Sequence, residues 1–94
     1  MTHTNRTIDL TTTLVSPLGS STVSYRPQRI MRVDRADPGP GVGIGGAVIG
    51  GHRINHASFP WHAAEPGDMV KVVLVNHTGR RSKLSVTLHV TEVS

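Results

Sequence analysis

The chain has no cysteine among its 94 residues. That excludes disulfides, thiolate metal sites and cysteine nucleophiles together, and it fits synthesis in a reducing cytoplasm. Aromatic residues are almost missing: Tyr25, Phe59 and Trp61 are all there are. Rings normally supply much of a small core, so this core must come from Val, Leu and Ile. A chain this short buries only roughly 60–65% of its unfolded surface, which favours help from an oligomer or a larger assembly. No apolar run approaches the ~20 residues needed to span a bilayer. The polar start, Met1 to Leu10, shows no signal-peptide h-region. Acidic residues are few, six against ten basic ones, and the net charge is +4. No basic run exceeds Arg80-Arg81, and the dense basic patch with interleaved aromatics of a dedicated nucleic-acid binder is missing. Dispersed arginines suit an acidic protein surface equally well.

What is present is strand patterning. Leu84, Val86, Leu88 and Val90 alternate with Ser85, Thr87, His89 and Thr91, which gives one dry face and one wet or partner-facing face. The preceding run, Met69 to Val75, is apolar on both faces, as in a strand covered on both sides. Between them lies Thr78-Gly79, so Asp68 to Val93 is expected to form one C-terminal hairpin. Further strands are expected over Thr7–Val15, Ser21–Tyr25, Arg29–Arg35 and His52–His56, separated by turn signals such as Ser16-Pro17-Leu18-Gly19 and Glu65-Pro66-Gly67-Asp68. Arg26, Arg29, Arg32 and Arg35 recur every third residue, but on a strand they are expected to split between faces. The fold class expected is all-β: a small antiparallel β-sandwich or jelly-roll-like barrel. Residues 1–6 are expected to be a flexible arm and 7–94 a single domain.

Residues 38–51, PGPGVGIGGAVIGG, are half glycine, yet the remainder is apolar rather than Ser-rich. A flexible linker would be Gly/Ser-rich, so this segment is expected to be a long loop lying against the domain or a neighbour. Gly41 to Gly46 formally match the dinucleotide fingerprint G-x-G-x-x-G. That motif needs a following helix, which Gly50 and Gly51 would break. His52, His56 and His62 form the one candidate metal cluster, but a zinc site wants a fourth ligand of defined spacing, and Glu65 sits in a turn. A blue-copper site needs a cysteine. No nucleophile, base and orienting group stand in a readable arrangement, so no enzyme and no cofactor are expected.

Several segments together carry a resemblance. They are Tyr25-Arg26-Pro27-Gln28-Arg29-Ile30, the glycine-flanked Val48-Ile49-Gly50, Phe59-Pro60, and Pro66-Gly67-Asp68-Met69-Val70-Lys71-Val72 leading to Val75-Asn76-His77-Thr78-Gly79. Over roughly residues 20–80 the order resembles small β-sandwich virion proteins of tailed phages and prophages. The resemblance implies a non-enzymatic structural protein of a phage particle, a capsid decoration or cement protein. It would be made in the host cytoplasm and located on the virion. Its partners would be the major capsid protein or other virion proteins and further copies of itself, with no membrane and no nucleic acid. The contacts expected are Arg26, Arg29 and Arg32 with Gly41, Val42, Gly43, Ile44, Gly45 and Gly46. The competing classes are a metal- or ligand-binding sandwich using His52, His56 and His62, and a basic nucleic-acid-binding module.

Overall fold

In the computed structural model, which describes residues 2–93, the alternating residues of the last strand face inward as their pattern requires. Leu84, Val86, Leu88 and Val90 are all essentially inaccessible. They face Val70, Val72 and Leu74, equally buried, from a second layer. Seven strands make the two layers: β1 (His3–Val15), β2 (Ser20–Tyr25), β3 (Ile30–Pro38), β4 (Val42–Ile49), β5 (His52–Ile54), β6 (Val70–Asn76) and β7 (Ser82–Val93). Sheet A has the order β1-β7-β3 and sheet B the order β2-β6-β4-β5, with every pairing antiparallel. The fold is therefore a small antiparallel β-sandwich, elongated to 46 × 23 × 22 Å. No helix among the described residues is long and apolar enough to cross a membrane.

The expected C-terminal hairpin does not form. β6 belongs to sheet B and β7 to sheet A, so residues 77–81 arch from one layer to the other. Two arms with one dry face each can bury those faces side by side or against each other, and here they do the latter. Asn76 makes the arch possible. Its fully buried amide donates to the carbonyls of Val15 and Arg80, both at 2.9 Å, and lies 3.3 Å from that of Ser16. Its carbonyl accepts the Thr78 N–H at 2.8 Å. One side chain thus satisfies the backbone of two cross-sheet turns, β1–β2 and β6–β7, where ladder bonds cannot reach.

Two other expectations need correcting. The flexible arm is not seen: His3–Arg6 open β1 and pair with Val93–Val90, and the Arg6 guanidinium lies 3.2 Å from the buried Glu92 carboxylate. Met1 lies outside the described residues. The glycine-rich loop 38–51 is also largely a strand. Val42–Ile49 pair with β6, placing Ile44, Ala47 and Ile49 toward the core, and only its flanks turn. Gly50 and Gly51, with φ of +58° and +83°, form the two-residue link to β5 that a side chain would strain.

Bulges set the faces. In β3 the register slips between Val33 and Arg35, leaving Asp34 as the extra residue. Met31, Val33 and Ala36 therefore all point inward. Without that slip Arg35 would enter the core. The same slip puts Arg32 and Arg35 on one outer face, opposite Thr91 and His89, rather than on opposite faces. A second slip, between Ile44 and Gly46, absorbs Gly45 in β4. The far edge of β3 is partly closed by the segment leading into the β5–β6 loop. Trp61 donates its backbone N–H to Val33 and buries its ring, while Met31 and Ala64 exchange backbone bonds of 2.7–2.9 Å.

Candidate docking face

The two outer faces of the sandwich differ in electrostatic character. On sheet A, Asp9, Asp34 and Asp37 are each engaged by a neighbour. Thr87 donates to Asp9, and Thr91 donates to Asp34, which also pairs with Arg32 at 2.6 Å. Arg35 and His89 both converge on Asp37, at 2.9 and 2.8 Å. Nε2 of His89 also lies 3.2 Å from Arg35, and it cannot accept from the guanidinium while donating to the carboxylate. The shorter contact to the carboxylate is the one that charge favours, which makes Nε2 a donor. Partial burial pushes the Asp34 carboxyl up, but the Thr91 hydroxyl and the Arg32 guanidinium outweigh it and hold the group below its ordinary 3.8. On the inner side of the same sheet, the hydrogen bond that Arg6 donates to the Glu92 carboxylate raises Arg6 above its ordinary value, so that pair too is satisfied internally.

Sheet B is different. Its four strands, SSTVSY, VGIGGAVI, HRI and VKVVLVN, contain no Asp or Glu. The registers place Arg53, Val48, Lys71 and Ser24 in one row across the outer face, each opposite the next. The next row is Gly46, Val73 and Thr22, and the third is Gly43, Val75 and Ser20. Val48, Val73 and Val75 are only half-buried, while Arg53 and Lys71 are exposed and make no ion pair among the described residues. The glycines keep this face shallow. A Cβ on Gly45 would stand 3.0 Å from Val75, and one on Gly43 would run into the His77 ring that lies over it. Glu65 and Asp68 lie in the β5–β6 connection, with Asp68 beside Gly50 at the end of the sheet. The result is a flat valine stripe with open backbone, flanked by unpaired cations. Its cations are complementary in charge to carboxylates and its centre to small apolar groups.

The expected contact residues fall on different parts of the molecule. Gly43, Gly45 and Gly46 belong to this face or to the bulge beside it. Val42 and Ile44 turn their side chains toward the core, and Gly41 sits in the β3–β4 turn with φ +73°. Arg26 and Arg29 are exposed in the β2–β3 connection, and Arg32 is engaged by Asp34. β3 runs between the two groups, so at about 3.3 Å per residue Arg29 and Gly41 stand roughly 30 Å apart. The arginines and the glycine strip therefore do not form one patch. Arg53, Lys71 and the outward valines were missed. The available signal was the complete lack of acid in these strands, together with a second apolar face on Val73 and Val75.

Of the histidines, His52 and His62 line one open cleft of about 350 Å³ with Arg53, Asn55, Ser58 and the Trp61 ring, on which Phe59 stacks at 5.5 Å. His56 does not line it. No three His, Cys, Asp or Glu side chains among the described residues are grouped to hold a metal ion. Two imidazoles beside an arginine make a poor cation site, because the guanidinium repels the metal.

No family model, curated protein or solved structure matches this chain.

Proposed function

We propose that this chain is a non-enzymatic structural protein of a phage particle, a capsid decoration protein that docks on and stabilises the capsid lattice. One observation carries the reading: the outer face of sheet B, acid-free, shallow and apolar at its centre, with Arg53 and Lys71 unpaired at its margin. A protein that occupies many equivalent positions on a shell needs a rigid body and one adhesive face. The sandwich supplies the first and sheet B the second. Sheet A engages Asp9, Asp34 and Asp37 among its own residues, leaving Lys83 exposed, and presents a solvated outer surface. The order of segments over residues 20–80 points the same way through its likeness to small virion sandwiches.

The test is co-sedimentation of purified protein with capsids that lack it. Saturation at a fixed copy number supports the reading. The double variant Arg53→Glu/Lys71→Glu should bind roughly 10- to 100-fold more weakly, because each reversal sets like charges against the partner's carboxylates. Binding to capsids that is absent for the parent protein, or unchanged in the double variant, would defeat the proposal. Retention of short DNA that collapses with salt would instead favour a nucleic-acid role.

A further inference from the structure

From Leu10 to Tyr25 the chain carries no charged residue and no histidine: sixteen residues, LTTTLVSPLGSSTVSY. In the fold they become the inner end of β1, the turn, and the whole of β2. These are the outermost strands of sheets A and B on the same side of the sandwich, β1 lying over β2. Both sheets therefore end in unpaired backbone along one flank. Between them runs an open groove of about 350 Å³, with Leu10–Thr13 on one lip and Ser21–Ser24 on the other. Soluble proteins usually blunt such edges with lysine, proline or inward charge. Along residues 10–25 the one device is the bulge near Thr12, and even there the Thr12 hydroxyl accepts the Leu84 N–H at 3.0 Å and keeps the strand attached.

Among the described residues the two most exposed large apolar side chains, Leu14 at 55% and Leu18 at 80%, border this flank, Leu14 on the outer face of β1 opposite Lys83 and Leu18 in the β1–β2 turn. Leu18 is also the one non-glycine residue at positive φ among the described residues, +61°. A leucine held in a disfavoured backbone region with its side chain in water gains nothing inside the monomer.

We infer that this β1–β2 flank is a homodimer interface, in which the free edges of both sheets meet the same edges of a second copy about a two-fold axis. Charge selects the occupant. The chain is +4, and it shows charged groups on the outer face of sheet A, on that of sheet B and in the β2–β3 connection. Two copies repel at sheet B and at the β2–β3 connection, where the arginines and the lysine are unpaired among the described residues, and meet without repulsion along residues 10–25. An isologous contact also closes, leaving no free β1 or β2 edge to propagate. It adds buried apolar area to a core that has few aromatics. This inference is separable from the docking reading, because it uses the free backbone edges of β1 and β2, whereas docking uses the outward face of sheet B, whose cations lie on β5 and β6.

Sedimentation velocity across a concentration series tests it. The parent protein should run at about 20 kDa, twice the 10.1 kDa chain. Leu14→Glu/Leu18→Glu should keep its far-UV circular dichroism and dissociate to the single-chain mass, with a dimer Kd about 100-fold weaker. If that variant does not fold, Thr13→Lys, an exposed change on the β1 edge outside the docking face, must produce the same dissociation. Arg53→Glu/Lys71→Glu should remain dimeric whether or not it binds capsids, which separates this inference from the docking proposal. A monomeric parent, a mass above the dimer, or a dimer unmoved by the β1–β2 changes would overturn it.

Discussion

Replacing Asn76 by Asp changes one atom and should cost more stability than any surface substitution. The amide donates its two protons to the Val15 and Arg80 carbonyls at 2.9 Å, in a site with no access to water. Aspartate has no donor there when ionised. The buried Val15 carbonyl loses this donor, at about 1–3 kcal/mol, while the Arg80 carbonyl keeps the Thr78 and Ser82 hydroxyls, and a carboxylate oxygen now faces both carbonyls at hydrogen-bond distance. The expected loss is roughly 3–5 kcal/mol, a large share of the roughly 5–14 kcal/mol typical for a domain of this size. Thermal melts should fall by about 15–30 °C and urea midpoints should fall in parallel. The pH dependence gives a second check. Burial against carbonyl oxygens raises the folded-state pKa of the new carboxyl above its unfolded value of about 3.9. The variant therefore regains stability as pH falls through that raised value, since the protonated acid can donate once more. A loss under about 1 kcal/mol, or a deficit that widens on acidification, would show that Asn76 does not hold the two arches together.

Two further outcomes are expected. Asp34 titrates below its ordinary 3.8 in the folded state, so its contribution is present above that value and lost as pH falls through the folded pKa. In urea titrations the gap between the parent protein and Asp34→Asn should be open at neutral pH and close in acid, and a gap independent of pH would refute the role given to Thr91 and Arg32. Gly51→Ala meets no atom but forces a side chain into φ +83°, so it should cost about 1 kcal/mol, whereas Gly79→Ala, also in open space and without positive φ, should be within about 0.5 kcal/mol of the parent. Equal effects from the two would remove the backbone argument for the β4–β5 link.

Period-two patterning was enough to orient β7: Leu84, Val86, Leu88 and Val90 had to share a face because successive side chains point to opposite sides. The same local rule assigned β2, most of β1 and the inner face of β6. It has no access to which strand lies beside which, so β6 and β7 were legible as strands and their pairing was not. Phase was equally hidden where a bulge intervened. Arg32 and Arg35 share a face only because Asp34 is extra in the ladder, and that extra residue is specified by the partner strand β7. The glycine-rich segment misled for a related reason. Glycine lowers strand propensity, and only pairing with β6 on one side and the Ala47–Ile54 contact on the other makes Val42–Ile49 extended.

The candidate docking face divides in the same way. That the segments forming sheet B contain no acid is a property of the sequence alone, as is the uncharged stretch from Leu10 to Tyr25. That Arg53, Val48 and Lys71 stand in one row, or that β1 and β2 end both sheets on one flank, follows from long-range register and strand order. Local sequence determined which side chains share a face, because that depends on neighbours one and two residues away. Only the tertiary structure decided which faces meet and which edges stay open, because those contacts join residues up to about ninety positions apart, such as His3 and Val93.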